Sequence, residues 1–225
     1  MDRQRIILIA GVMLGGSYGW LTGAFDGLLS WGSSSAVVSP APLAEGDGGL
    51  LVTATFAAGC FWCVESDFDA VPGVVSTTSG YTGGRVPNPR YGQVSSGSTG
   101  HAEAVEVRFD PRRVTYEQLL ARYWRNVDPF ESRRQFCDVG AQYRPAIFTH
   151  SDDQATTAVA SRARIEARLG RRVVVAIQPA GPFYRAEAYH QDYSRTHSLQ
   201  YRYYRWRCGR DARLEKIWGS PPKAG

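Results

Sequence analysis

The sequence predicts an α+β two-layer sandwich. Three observations carry that prediction. Apolar and polar residues alternate over residues 51–58 and 105–109, the period of half-buried strands. Tyr116, Leu119, Leu120, Tyr123, Trp124 and Val127 recur at helical spacing. The segments so read follow the order β-α-β-β-α-β, with extra segments around it.

A chain of 225 residues suits one domain with extensions. Arg3 and Arg5 precede an apolar stretch from Ile6 to Phe25 that ends before Asp26. This reads as a signal peptide or signal anchor over residues 1–31, close to the roughly 20 residues that span a bilayer. No A-x-A site follows directly, and there is no lipobox cysteine. Positive charge before the span places the rest of the chain outside the cytoplasm, a bacterial periplasm being the natural setting. The alternative is a cytoplasmic protein with a buried N-terminal helix. Residues 32–49, rich in Ser, Pro, Ala and Gly, read as a flexible linker, which leaves residues 50–225 as the catalytic domain.

The first strand runs into Gly59-Cys60-Phe61-Trp62-Cys63-Val64-Glu65, and a helix follows until Pro72 and Gly73. Cys60 therefore lies where a strand gives way to a helix. Free backbone N–H groups at that point stabilise a thiolate, the reactive form of cysteine. Phe61 and Trp62 suit the walls of an apolar pocket. A strand over residues 74–79 ends in Gly80-Tyr81-Thr82-Gly83-Gly84, which holds Tyr81 at the strand tip. Residues 86–100 form a long loop, of the kind that is often functional. Gly100-His101-Ala102-Glu103 opens the next strand, where a carboxyl taken by itself reads as an ordinary exposed charge. Thr115 and Gln118 form a capping box for the helix that Asp128-Pro129 ends. Gln135-Phe136-Cys137-Asp138-Val139-Gly140-Ala141-Gln142-Tyr143-Arg144 leads into an apolar strand. Ser151, with Gln154, caps a second helix that Gly170 closes, and residues 172–177 read as a buried strand.

Phe183-Tyr184-Arg185-Ala186-Glu187-Ala188-Tyr189-His190-Gln191-Asp192-Tyr193 follows. Tyr201-Arg202-Tyr203-Tyr204-Arg205-Trp206-Arg207 interleaves cations and aromatics. Such a stretch can bind single strands of nucleic acid, but it reads better as a strand or tail with its aromatics turned inward. The net charge of +5 does not demand nucleic acid either. Four cysteines are too few for a disulfide scaffold and point to redox chemistry. A zinc site would need a second matching pair beside Cys60 and Cys63, and Cys137 and Cys208 stand alone. His190 has no second histidine at ligand spacing, so no metal is expected.

Four of these stretches, in this order, resemble the A-type peptide methionine sulfoxide reductases, over residues 51–218. The resemblance implies a ferredoxin-like two-layer sandwich with a mixed sheet and a long C-terminal coil. It implies that Cys60 is the nucleophile and that Tyr81, Tyr143 and protonated Glu103 bind the sulfoxide oxygen. Phe61 and Trp62 would enclose the methyl group, Asp138 would hold the substrate backbone or order water, and Tyr193 would be a pocket tyrosine. The substrate would be the S epimer of methionine sulfoxide, free or in oxidised proteins. Cys60 would become a sulfenic acid and then a disulfide, which a thioredoxin-like reductant would reopen. Cys208, on a mobile tail, is favoured as first resolving cysteine over Cys63, with Cys137 third. Cys63 stands where many members carry glycine. No cofactor is implied, the membrane is met only through the N-terminal segment, and a monomer is expected. The competing reading is a thiol-disulfide oxidoreductase built on Cys60 and Cys63 alone.

Overall fold

The computed structural model describes residues 50–219. The leader expected over residues 1–31 and the linker expected over residues 32–49 lie outside the described residues. Among the described residues, no helix is long and apolar enough to cross a membrane.

Six strands make one mixed sheet. Strand β1 (Val52–Ala57) leads into helix α1 (Phe61–Asp69), and β2 (Val74–Thr82) into the short α2 (Tyr91–Ser95). Strand β3 (Ala102–Phe109) and helix α3 (Tyr116–Arg125) follow, then a small hairpin of β4 (Arg134–Gln135) and β5 (Asp138–Val139). Next come β6 (Ala146–Thr149), α4 (Asp152–Leu169), β7 (Ala176–Pro179) and β8 (Tyr184–Arg185). The chain closes on α5 (Tyr193–Thr196), α6 (Ser198–Arg207) and α7 (Arg210–Trp218). The sheet order is β7-β6-β1-β3-β2-β8. Only β6 and β7 pair in parallel, with α4 as the crossover such a pair needs.

Side-chain alternation sorts the strands into two layers. Ala54 and Phe56 of β1 and Val105 and Val107 of β3 join the main core with Phe68, Leu119, Leu120, Tyr123 and Trp124 of the helices. Phe56 stacks on Phe68 with ring centroids 4.7 Å apart. The other face is a smaller cluster of Ala57, Ala102, Ala104, Ala146 and Phe148. Glu103 has the parity of Val105 and Val107. The same rule that buries those valines sends its carboxyl toward the helix layer.

The capping expectations hold. The Thr115 hydroxyl accepts from Gln118 N–H, the Gln118 side chain answers at Thr115 N–H, and Ser151 caps α4. Three expectations change. Strand β2 runs on through Gly80, Tyr81 and Thr82, so Tyr81 sits inside the sheet, paired with Glu103 and Tyr184, and not at a tip. Gly80 permits this: a Cβ there would lie 2.5 Å from the Tyr184 carbonyl oxygen. The strand expected over residues 172–177 pairs only from Ala176 onward.

The expected C-terminal coil is two helices. Gly209, at φ +68°, breaks them apart. Leu214 and Trp218, four residues apart on α7, are both buried, and the Trp218 indole N–H donates to the Val127 carbonyl at 3.3 Å. Buried Arg210 donates to the carbonyls of Ala58 and Asn126 and pairs with Asp67 at 3.5 Å. A run of Tyr, Trp and Arg has no clean apolar period, which hid the helices from the sequence. Trp218→Ala should therefore cost about 3–5 kcal/mol of stability in urea unfolding, as loss of a packed indole does. A terminal coil would give no measurable change.

Candidate active site

Cys60 is the N-cap residue of α1, with φ −49° and ψ 119°. Its carbonyl accepts from Cys63 N–H at 3.1 Å and from Val64 N–H at 3.3 Å. The bend depends on Gly59, at φ +88°, where a Cβ would lie 2.6 Å from the Cβ of Gln135. The nucleophile segment thus rests directly against the segment that carries Cys137 and Asp138. From β3, Glu103 Oε2 accepts the Phe61 N–H at 3.1 Å. One hydrogen bond satisfies a free donor of the helix end and sets a carboxyl beside the nucleophile.

Cys60, Phe61, Trp62, Tyr91, Glu103, Asp138, Tyr143 and Tyr204 line a cavity of about 120 Å³. Drug-sized sites run to roughly 300–1,000 Å³, so this one takes the tip of a side chain. A larger groove of about 460 Å³, between α3 and α7, is lined by arginines, Asn126, Asp211, Leu214 and Trp218 and has no nucleophile.

Burial governs the electrostatics. Glu103 is 2 % exposed, and loss of water pushes its pKa up to about 8, against the pull of the Phe61 N–H. It is therefore mostly protonated at neutral pH. Burial also lifts the Cys60 thiol well above its ordinary range, helped by Cys63 and Glu103. Burial thus works against the resting thiolate expected at the helix end. The Cys63 thiol is lowered, first by its contact with Cys60 and then by Arg210 and Arg205. Burial raises the phenols of Tyr143 and Tyr204, and raises Tyr91 to about 12, so all three are hydrogen-bond donors.

The aromatic wall is braced from behind. Trp62 stacks on Tyr193 at 3.8 Å and 8° and meets the edge of Tyr204 at 5.8 Å. Its indole N–H donates to His190 Nδ1 at 3.1 Å, which leaves the imidazole proton on Nε2. Burial lowers the pKa of His190 and keeps it neutral. Glu187 accepts from the Tyr81 hydroxyl at 2.8 Å and from Tyr91 N–H at 2.9 Å. Asp138 Oδ2 accepts from the Tyr204 hydroxyl at 2.6 Å.

Of the residues expected at the site, Cys60, Phe61, Trp62, Glu103, Asp138 and Tyr143 meet in the cavity. Tyr81 does not. It is fully buried, its ring lies 5.9 Å from that of Phe61, and its hydroxyl is committed to Glu187. Tyr193 is the rear support of Trp62 and does not line the cavity. Two lining residues were missed. Tyr91 lies in the long loop after Pro87 and Pro89, whose length was the available signal. Tyr204 belongs to the basic aromatic stretch, whose helical form brings it back over the site.

The cysteines also rearrange. Cys60 and Cys63 are free and buried. Cys137 and Cys208 form a disulfide with Cα atoms 5.0 Å apart. Cys208 is the C-cap of α6, so it is not carried on a mobile tail.

A family model described as peptide methionine sulfoxide reductase matches residues 52–221. The peptide methionine sulfoxide reductase MsrA 2 of Caulobacter vibrioides is 50% identical over 170 residues, covering 74% of this chain and 85% of that protein. MsrA 2 of Rhizobium meliloti is 48% identical over 172 residues, covering 76% and 86%. Among solved structures, methionine sulfoxide reductase A of Corynebacterium diphtheriae superposes with a TM-score of 0.65 at 36% identity, covering 68% of this chain and 78% of that one. With Cys60, the buried Glu103 carboxyl and the aromatic cavity on one site, these matches put the chain in the peptide methionine sulfoxide reductase family, among its A-type members.

Proposed function

We propose that the chain reduces the S epimer of methionine sulfoxide, free or in oxidised proteins, with Cys60 as nucleophile and Glu103 as acid. The observation that carries this is the buried Glu103 carboxyl on the Phe61 N–H, in one small cavity with Cys60, Tyr91, Tyr143 and Tyr204. The sulfoxide oxygen accepts from Glu103 and the phenols, and the methyl group lies against Phe61 and Trp62. Cys60 Sγ bonds to the polarised sulfur while Glu103 gives its proton to the oxygen, and the proton of the Cys60 thiol restores Glu103. The hydroxyl then passes from the methionine sulfur to Cys60 Sγ as the bond between the two sulfurs breaks, which frees methionine and leaves Cys60 as a sulfenic acid. A thiol-disulfide oxidoreductase would have no use for the acid or the phenols.

The burial of the thiols supports an order of events. Cys63, one turn along α1 and in the field of Arg210 and Arg205, attacks the sulfenic sulfur, and water departs. The resulting Cys60–Cys63 disulfide is shielded, since the two residues are 6 % and 2 % exposed. Cys137 is exposed and follows a segment in contact with Gly59. As dithiols, Cys137 and Cys208 take over the disulfide by exchange, and a thioredoxin-like protein reduces it at the surface.

Three results are expected with the full chain. Cys60→Ser abolishes consumption of the S epimer, and loss of neither epimer from the wild type would end this reading. The wild-type kcat falls as pH rises through about 8, where Glu103 loses its proton; Glu103→Gln removes that limb and lowers kcat roughly 10²–10⁴-fold. Fully reduced wild type, freed of reductant, yields two methionines per chain, one for each disulfide formed, whereas Cys137→Ser yields one. Two from the variant would remove Cys137 from the path.

We also propose that residues 1–31 export or anchor the chain with the catalytic domain outside the cytoplasm. The charge order of Arg3, Arg5 and the apolar stretch supports this. Protease added to intact spheroplasts should then digest the domain, and full protection would refute it.

A further inference from the structure

The cysteines that stand 71 residues apart in sequence meet beside a carboxylate in the fold. The Sγ atoms of Cys137 and Cys208 and a carboxylate oxygen of Asp138 all lie within 4.8 Å of one another. We propose that, once a dithiol reductant has opened the Cys137–Cys208 disulfide, this trio binds a thiophilic divalent cation such as zinc, and that the cation limits the enzyme to a single turnover by blocking handover of the disulfide.

The donor set suits such an ion. Two thiolates and one carboxylate are ligands that zinc takes in tetrahedral sites, with water in the fourth position. The carboxylate ligand is already oriented, and reduction lets the two sulfurs part to take their places. Asp138 turns Oδ1 toward Cys137 Sγ, 3.7 Å away. That matches the separation of about 3.5 Å between sulfur and oxygen on one tetrahedral zinc with bonds of about 2.3 and 2.0 Å. The other oxygen, Oδ2, is fixed by the Tyr204 hydroxyl at 2.6 Å, the kind of outer contact that orients a ligating carboxylate. The Cys137 N–H points at Cys208 Sγ from 3.2 Å and would support a thiolate there.

The site is also reachable. Cys137 is exposed, and a cleft of about 310 Å³ beside Cys208 is lined by Glu131, Arg134 and Arg213, among others. Reduction transfers two electrons from the donor dithiol, which becomes a disulfide, and frees both Cys137 and Cys208. Binding then releases their thiol protons to solvent. Inhibition follows from position. The cation removes the two thiols that accept the disulfide from Cys60 and Cys63. It also holds Asp138, which with Tyr204 lines the substrate cavity. This second half rests on the thiol order proposed above; the binding itself does not.

The test titrates cadmium, as a spectroscopic stand-in for zinc, into the full chain reduced with a phosphine and freed of it. The thiolate-to-cadmium charge-transfer band reports binding without any sulfoxide present. One cadmium per chain should bind to wild type and to the Cys60→Ser/Cys63→Ser double variant. Oxidised wild type and Cys137→Ser/Cys208→Ser should not bind it. Tyr204→Phe should weaken it roughly 10–100-fold, as loss of an outer-shell partner does. A reduced chain with four titratable thiols that binds no cadmium would overturn the site. So would undiminished binding after Cys137 and Cys208 are replaced. Zinc-loaded reduced enzyme should release one methionine per chain in place of two; an unchanged yield of two would overturn the inhibitory role.

Discussion

The hydrogen bond from Phe61 N–H to Glu103 joins the two parts of this molecule that chemistry requires to meet. One end belongs to the central strand of the sheet and the other to the first turn of a helix. The strand supplies rigidity and a buried position; the helix end supplies a donor that would otherwise be unsatisfied. An isolated carboxylate in that place would be costly, so the group keeps its proton. In the proposed reaction, the proton that burial holds on Glu103 is the one that is spent. Fold energetics and catalysis therefore make the same demand of one side chain.

The same economy extends outward. Residues 183–193 place no side chain on the cavity, yet three of them brace the residues that do. Glu187 holds the backbone of Tyr91, His190 holds the Trp62 indole, and Tyr193 backs the face of that indole. Arg210, buried over Phe136 at 4.4 Å, ties α7 to the end of β1 and to the loop before Cys137. The cavity thus has walls from five separated segments, and removing a contact well behind it would shift the wall in front.

Much of this was legible in the sequence. Alternation at Val105 and Val107 fixed the buried face of β3, although the carboxyl of Glu103 by itself read as an exposed charge. The strand-to-helix change at Gly59-Cys60 placed Cys60 at a helix N-terminus, and the caps at Thr115 and Ser151 located two helices. What failed depended on contacts between distant segments. Tyr81 lies next to a motif glycine, but the pairing of β2 with β8 turned its hydroxyl to Glu187. Tyr91 took the cavity position because α2 folds out of a loop with no period to read. The tail after Ser198 looked irregular because its inner face is made by Tyr201, Leu214 and Trp218, split by the turn at Gly209. Cys137 and Cys208 looked solitary for the same reason.

The protonation state of Glu103 is the most direct test of the account. Infrared difference spectra of wild type and Glu103→Gln, taken across neutral pH on unliganded enzyme, isolate its carboxyl stretch. The account predicts a protonated-acid band at pH 7 that fades near pH 8, where burial places the pKa. An ionised carboxylate at pH 7, with no acid band, would contradict it and leave the sulfoxide oxygen without its proton donor.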